Sequence, residues 1–202
     1  MPRINAVDTT QVDSETQALF ARLAKRFGKT PNLVRTMAVS PAVLNAYLTF
    51  GRSLNRSSLS AKVREQIGLA VSELNRCQYC LSAHATLGKM AGLTDDEIAE
   101  SRRGASSDRK TDAILHFAGK VVKERGWVRD DDVQSVRDAG ASDAEIAEVV
   151  ASVALNIFTN YFVHVAGIEV GFPDDKPADA LEPHLLRKAE EVGLAASTPS
   201  SS

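Results

Sequence analysis

Apolar residues recur along this chain at three- and four-residue spacing, in blocks closed by glycine, proline or a capping side chain, and no stretch alternates apolar and polar residues as a half-buried strand would. The first block sets Leu19, Phe20, Leu23 and Phe27 on one face behind Ser14-Glu15-Thr16-Gln17, a capping-box pattern, and Gly28 closes it. Thr30-Pro31 leads into a short apolar helix through Leu33, Val34 and Met37. Ser40-Pro41 then supplies an N-cap and a first-turn proline for a helix running to about Leu54. Ser60 opens the next helix, whose apolar positions are Val63, Ile67, Leu69, Ala70, Val71 and Leu74. Asn75 is expected to cap a further helix that begins at Arg76 and runs to Met90 or Ala91, stopped by Gly92. A second box, Thr94-Asp95-Asp96-Glu97, starts a short helix through Ile98, and the polar run 102–107 reads as a mid-chain link. Asp108 caps a helix to Arg125, the Asp130-Asp131-Asp132 cluster reads as the cap of a helix through Val133 and Val136, and Ser142-Asp143-Ala144-Glu145 opens the longest apolar block.

Helix after helix with short breaks predicts an all-α bundle, as one domain over residues 1–192 with a last short helix at 181–192 and a disordered tail at 193–202. Residues 146–168 carry one charge, Glu148, over a length that would span a bilayer. Ser152, Asn156, Asn160 and His164 continue from Glu148 at every fourth position, so the segment reads as a buried central helix with a polar line. On that reading Glu148 to Asn156 is a satisfied core stripe, whereas Asn160 and His164 border the functional pocket. A shift of 80 residues lays Glu65 on Glu145, Ser72 on Ser152, Cys80 on Asn160 and His84 on His164, a weak sign of an internal two-fold repeat.

Composition narrows the classes. A chain of 202 residues, 44 % hydrophobic and 25 % charged, buries a proper core. A net charge of −2 with pI near 6.1 and no cluster of basic residues argues against nucleic acid. The N-terminus lacks an apolar signal core, and two cysteines at redox spacing fit a reducing cytosol, so a cytoplasmic protein without a membrane span is expected.

Both cysteines and one of the four histidines fall within eight residues, Cys77-Gln78-Tyr79-Cys80-Leu81-Ser82-Ala83-His84. On a helix Cys77, Cys80 and His84 line one face, with both sulfurs near the N-terminal turn, where unpaired N–H groups and the helix dipole favour a thiolate. Three chemistries use such a stripe. Buried cysteines can be inert small hydrophobes. Zinc takes thiolates and imidazole, but a closed site wants four ligands and no second Cys-x-x-Cys or His-x-x-x-His pair occurs. Thiol redox chemistry, in which one cysteine attacks and the other resolves, suits the spacing best without saying which sulfur does which. If the helices on either side of Asn75-Arg76 form an antiparallel hairpin, Glu65 and His84 differ in height by only about 3 Å and can meet. Val43, Leu44, Tyr47, Leu48 and Phe50 are expected in the core or at a subunit interface, where they would also roof the thiols.

The pattern Glu65, eleven residues, Cys77-x-x-Cys80, three residues, His84 resembles the alkylhydroperoxidase D (AhpD)-like branch of the carboxymuconolactone decarboxylase superfamily at all four positions. A looser similarity to its peroxidase-related subgroup runs from Thr30-Pro31-Asn32-Leu33 to Phe172-Pro173. The resemblance implies an AhpD-like helical bundle, a homo-oligomer (dimer, trimer or hexamer), and reduction of hydroperoxides through a redox-active disulfide, without metal or other cofactor. It implies further that Cys80 attacks, that Cys77 resolves, that Glu65 and His84 relay protons, and that a dithiol or lipoylated protein supplies electrons. One position departs from the best-known members: Tyr79, expected to line the pocket, stands where they carry a histidine. The alternatives are a lactone-decarboxylating lyase, for which the resemblance implies no need of a cysteine pair, and a non-catalytic metal-binding or thiol-sensing module.

Overall fold

In the computed structural model, residues 1–169 are described. The expected helix at 181–192, the tail at 193–202 and the domain end at 192 lie outside them, as does Phe172-Pro173. Nine helices and no strand occur among the described residues: α1 Ser14–Phe27, α2 Asn32–Met37, α3 Pro41–Leu54, α4 Ala61–Leu74, α5 Gln78–Met90, α6 Asp95–Arg102, α7 Arg109–Lys123, α8 Asp130–Asp138 and α9 Asp143–Ala166. Ser40, Ser60, Thr94, Asp108 and Ser142 each cap the helix expected of them. Besides the start of α5, described below, two boundaries differ. α1 is capped by Asp13, which takes the Thr16 N–H at 2.9 Å and thereby displaces Ser14 into the first turn. α7 stops at Lys123 because Arg125 turns left-handed at φ 54° and the Gly126 N–H closes back on the Val121 carbonyl.

The centre of the bundle is α4, buried on every side from Gln66 to Ser72 and packed by α5, α6, α7 and α9. A helix apolar all round belongs in the middle of a fold, and each side of α4 enters a different cluster. Ile67, Ala70 and Val71 pack with Ile114, Leu115 and Ala118 of α7 and with Val149 and Val153 of α9. Leu69 meets Leu81, Leu93 and Ile98 of the α5–α6 arm. The side bearing Glu65 and Gly68 is left for α5. A separate cluster joins α1, α2 and α3 to the start of α5 through Phe20, Leu33, Val34, Met37 and Leu44.

The long helix α9 is not the fully buried rod its composition implied. Val149, Ser152, Val153, Asn156, Asn160 and Val163 are buried, but Val150, Phe158, Tyr161 and Val165 stand exposed along the other side. It is long and apolar enough to cross a membrane by length and composition. Its polar line is largely structural. Glu148 receives the Ser58 N–H at 3.0 Å and the Ser58 hydroxyl at 2.6 Å, tying down the α3–α4 loop, and the Asn156 amide bonds the Ser152 carbonyl. The 80-residue shift does not correspond to equivalent structure, since Glu65 and His84 lie on two helices joined by a turn whereas Glu145 and His164 share the continuous α9.

The acidic cluster forms the first turn of α8 and completes its capping box through Asp132. The Asp132 carboxylate accepts the Arg129 N–H at 3.0 Å and pairs with Lys120 of α7. The Lys120 ammonium first and the Arg129 amide second hold this carboxyl down to about 2, against an ordinary value of 3.8. A carboxyl lowered on folding stabilises the fold above its unfolded value and loses that contribution as pH falls through the folded one. Urea midpoints should therefore fall for the wild type between pH ~4 and ~2, with a visibly shallower decline in Asp132→Asn. Identical acid limbs for the two proteins would rule this pair out as a stabilising element.

Candidate functional site

The turn between α4 and α5 decides where the cysteines sit. Asn75 is the C-cap of α4, not the start of α5 as the sequence implied, and Arg76 adopts a left-handed φ of 54°. The Arg76 N–H bonds the Glu73 carbonyl and the Cys77 N–H bonds the Ser72 carbonyl at 2.9 Å, the paired closure of a Schellman motif with Arg76 in the place glycine usually takes. Satisfying the last carbonyls of α4 uses up two residues, so α5 begins at Gln78 with Cys77 as its N-cap. Cys80 then lies in the first turn, where free N–H groups of the helix favour negative charge. Cys77 and Cys80 are joined as a disulfide with 5.3 Å between Cα atoms, and both are buried.

From the far side α9 fastens this turn. Asn160, fully buried, accepts the Asn75 side-chain N–H at 2.9 Å and donates to the Ser72 hydroxyl at 3.2 Å. The exposed His164 bonds the Asn75 carbonyl through Nε2 at 3.0 Å, the ring nitrogen donating. Both residues thus act on the backbone that presents Cys77. Neither Asn160 nor His164 is among the residues that line the cavity described below.

Glu65 and His84 meet across the hairpin. The imidazole Nδ1 lies 2.7 Å from Glu65 Oε2, and the two side chains are only 21 % and 19 % exposed. An ionised carboxylate only accepts, so the proton is on Nδ1, and Nε2 is the nitrogen left to take up or release another. What allows the approach is Gly68, one turn after Glu65 on the same face of α4. A Cβ at Gly68 would lie 2.5 Å from His84 Cε1 and Nδ1 and 2.7 Å from Nε2. Sequence reasoning missed this residue, although a glycine in the middle of an otherwise strong helix, three residues after the glutamate, was a signal.

Around the sulfurs the walls are apolar. Phe20, Leu33, Val34, Met37 and Leu44 are buried with Cys77, Tyr79 and Cys80, and Leu23, Phe27, Val43, Tyr47 and Leu48 pack against them, so the expected roof from α3 is present except for Phe50, which stands exposed, and α1 shares it. Tyr79 is a buried member of this cluster rather than a cavity wall; its hydroxyl accepts the Leu33 N–H at 3.3 Å. Burial pushes its pKa up to about 12, against the pull of that amide, so it stays a neutral phenol at ordinary pH. Tyr47 is likewise raised, by burial and then by the Glu65 charge.

An open cavity of about 410 Å³ lies between α5 and α6, lined by Gln78, Leu81, Ser82, Ala85, Ile98 and Arg102. Tyr79 is not among its walls either. Residues 78, 81, 82 and 85 share a face about 100° round the helix from the Cys77–Cys80–His84 stripe. Among the described residues no group of three or more His, Cys, Asp or Glu side chains is placed to hold a metal ion.

Residues 41–124 match the model of the carboxymuconolactone decarboxylase family, a segment that holds Glu65, Gly68, both cysteines and His84. No curated protein matches the chain significantly. Among solved structures, a peroxidase-related protein from Silicibacter sp. TM1040 is similar at 24 % identity and TM-score 0.75, over 86 % of this chain and 96 % of its own. An alkylhydroperoxidase AhpD core, peroxidase-related protein from Ralstonia eutropha JMP134 is similar at 23 % identity and TM-score 0.76, over 84 % and 92 %. The debrominase Bmp8, in complex with 2,3,4-tribromopyrrole, is similar at 14 % identity and TM-score 0.73, over 85 % and 92 %. These likenesses are of fold.

Gly68→Ala separates stability from site geometry. Alanine adds roughly 1 kcal/mol of helix propensity, yet its Cβ has to displace the His84 ring from Glu65. Helical circular dichroism should stay unchanged and thermal stability close to wild type, while the imidazole signals of His84 in an NMR spectrum lose their dependence on Glu65→Gln. A His84 ring that still responds to Glu65→Gln in the Gly68→Ala background would show that the pair survives the methyl group.

Proposed function

From the match of residues 41–124 to the carboxymuconolactone decarboxylase family and the AhpD-like helical fold, we propose that this chain is a thiol-dependent peroxidase that reduces organic hydroperoxides through Cys77 and Cys80. The observation that carries the reading is the 2.7 Å Glu65–His84 pair, with His84 one turn beyond Cys80 on the helix that begins at the cysteine pair.

With both cysteines reduced, His84 Nε2 takes the proton of Cys80, and Glu65 stabilises the resulting imidazolium through Nδ1–H. The Cys80 thiolate attacks the terminal oxygen of the hydroperoxide and the O–O bond breaks. The sulfur becomes a sulfenic acid, and the departing alkoxide receives the proton from His84 and leaves as the alcohol. His84, neutral again, takes the proton of Cys77 and delivers it to the sulfenic oxygen as the Cys77 sulfur attacks Cys80, so that water leaves and the disulfide closes. A dithiol, free or carried as a lipoyl group, restores both thiols by exchange and leaves as its own disulfide. Two electrons thus pass from dithiol to peroxide, and no metal or flavin enters. A reducing cytoplasm is the compartment that would keep such a dithiol available.

Assembly follows the same reading. The exposed stripe of Val150, Phe158, Tyr161 and Val165 on α9 supports a homo-oligomer that covers it. The net charge of −2 gives no argument for nucleic acid, and α9 is assigned to the bundle because its buried side packs on α3, α4 and α7.

The test is peroxide consumption by the reduced protein with dihydrolipoamide in excess. Cys80→Ser should abolish turnover. Glu65→Gln should keep the fold and slow turnover by about 10²-fold, the usual scale of a general acid–base contribution. Glu65→Gln and His84→Gln combined should be little worse than either alone, since each disables the same relay. Wild-type turnover in Glu65→Gln would remove Glu65 from the mechanism, and no consumption of any hydroperoxide by the wild type would overturn the peroxidase assignment itself.

A further inference from the structure

Arg26 lies on the last turn of α1, outside residues 41–124 that match the family model and outside the Glu-Cys-Cys-His pattern. Its neighbour Phe27 packs against the cluster of Cys77, Tyr79 and Cys80, and the guanidinium carbon of Arg26 rests 4.4 Å from the centroid of the Phe27 ring. Two of its nitrogens, Nε and Nη2, are shielded from solvent and hydrogen-bond to no group among the described residues. Burial lowers its pKa to about 10 while the Glu65 charge pulls the other way, so Arg26 is a cation at neutral pH and stands within electrostatic reach of the site.

The identity of those two nitrogens matters. Nε–H and Nη2–H point from the same edge of the guanidinium plane, the edge that meets both oxygens of a carboxylate side-on. Other arginines of the core have used theirs. Arg64 gives Nη1 to the Leu59 carbonyl and Nη2 to Asn55, Arg102 gives Nε to Glu73, and Arg35, with Nε unpaired, still gives Nη2 to the Val7 carbonyl. Glu65 does not occupy the Arg26 edge, since its Oε2 is bonded to His84 and neither Arg26 nitrogen finds a partner. Glu65 is the one carboxylate whose charge acts on Arg26, whereas Arg64 is drawn by both Glu65 and Glu148. Phe27, on which the guanidinium rests, belongs to the same apolar cluster as Phe20, Leu23, Tyr47 and Leu48, which suits a hydrocarbon chain.

We infer that the Nε–Nη2 edge of Arg26 is a recognition point for the carboxylate of the substrate, and that the preferred substrates are carboxylate-bearing hydroperoxides with an apolar chain, of the fatty-acid hydroperoxide class. This rests on the peroxidase reading for the reactive end of the molecule. The anionic end rests on Arg26 alone. Arg26 touches no reacting atom and sets specificity rather than chemistry.

The experiment compares linoleic acid hydroperoxide with its methyl ester, below micellar concentration, in steady-state peroxidase assays of the full chain with excess dithiothreitol. Alongside, calorimetry follows binding of the unreactive hydroxy acid. Wild type should favour acid over ester by about 10- to 100-fold in kcat/KM, the scale of charge-assisted hydrogen bonds. Arg26→Gln should bring that ratio close to one by raising KM for the acid, Arg26→Lys should recover part of it, and hydroxy-acid binding should weaken in step. Equal rates on acid and ester in the wild type, or an equal loss on both in Arg26→Gln, would overturn the assignment and leave the peroxidase reading standing. Arg26-dependent binding of the hydroxy acid without turnover of either peroxide would overturn the peroxidase reading and keep the anion site. Neither binding nor turnover would remove both.

Discussion

The contact on which the site depends is the imidazole of His84 lying flat against the backbone of α4 at Gly68. Only hydrogen fits there, since a Cβ would come within 2.5 Å of the ring. That closeness lets the ring reach Glu65, three residues earlier on the same helical face, and so places a carboxylate and an imidazole together within a largely apolar interior. A charged side chain in such a place persists only with a bonded partner. Glycine in mid-helix costs about as much stability as one good surface interaction contributes, and α4 tolerates the loss because it is packed on all sides.

A second constraint acts on the cysteines from the opposite direction. The α4–α5 turn stores a left-handed arginine at Arg76, which local chemistry alone does not favour. It is held by a network that reaches from Ser72 and Asn75 to Asn160 and His164 on α9. Removing Asn160 would leave the Ser72 hydroxyl and the Asn75 amide unpaired in the interior, at a cost of a few kcal/mol by the usual scale for buried orphaned groups. The long helix therefore does two jobs: its apolar residues fill the core beside α4 and α7, and its polar line locks the loops that carry the α3–α4 connection and Cys77.

The N-terminal helices add a layer that the matched family segment lacks in part. α1 and α2 lie before residue 41, yet Phe20, Leu33, Val34 and Met37 close over Cys77, Tyr79 and Cys80, and Tyr79 anchors α5 to the first turn of α2. Burial of the sulfurs is thus a property of the whole chain. The same layer brings Arg26 to the edge of the site.

Most of the fold was legible in the sequence because capping and periodicity are local. Ser40, Ser60, Thr94, Asp108 and Ser142 each announce a helix within a few residues, and the structure places a helix at each. The meeting of Glu65 with His84 was also within reach, since hairpin geometry needs only residue counts on either side of a turn. The start of α5 was misplaced by two residues, because whether Asn75 ends one helix or begins another depends on which carbonyls of α4 remain to be satisfied. Asn160 and His164 were singled out by their spacing, but spacing cannot say that Ser72 and Asn75 would claim them. Gly68 left only the signal of a mid-helix glycine, and its role, like that of Arg26 and the half-exposed character of α9, was decided by tertiary structure. A missing Cβ, an unpaired guanidinium edge and an uncovered apolar side acquire meaning only from the groups that distant parts of the chain bring against them.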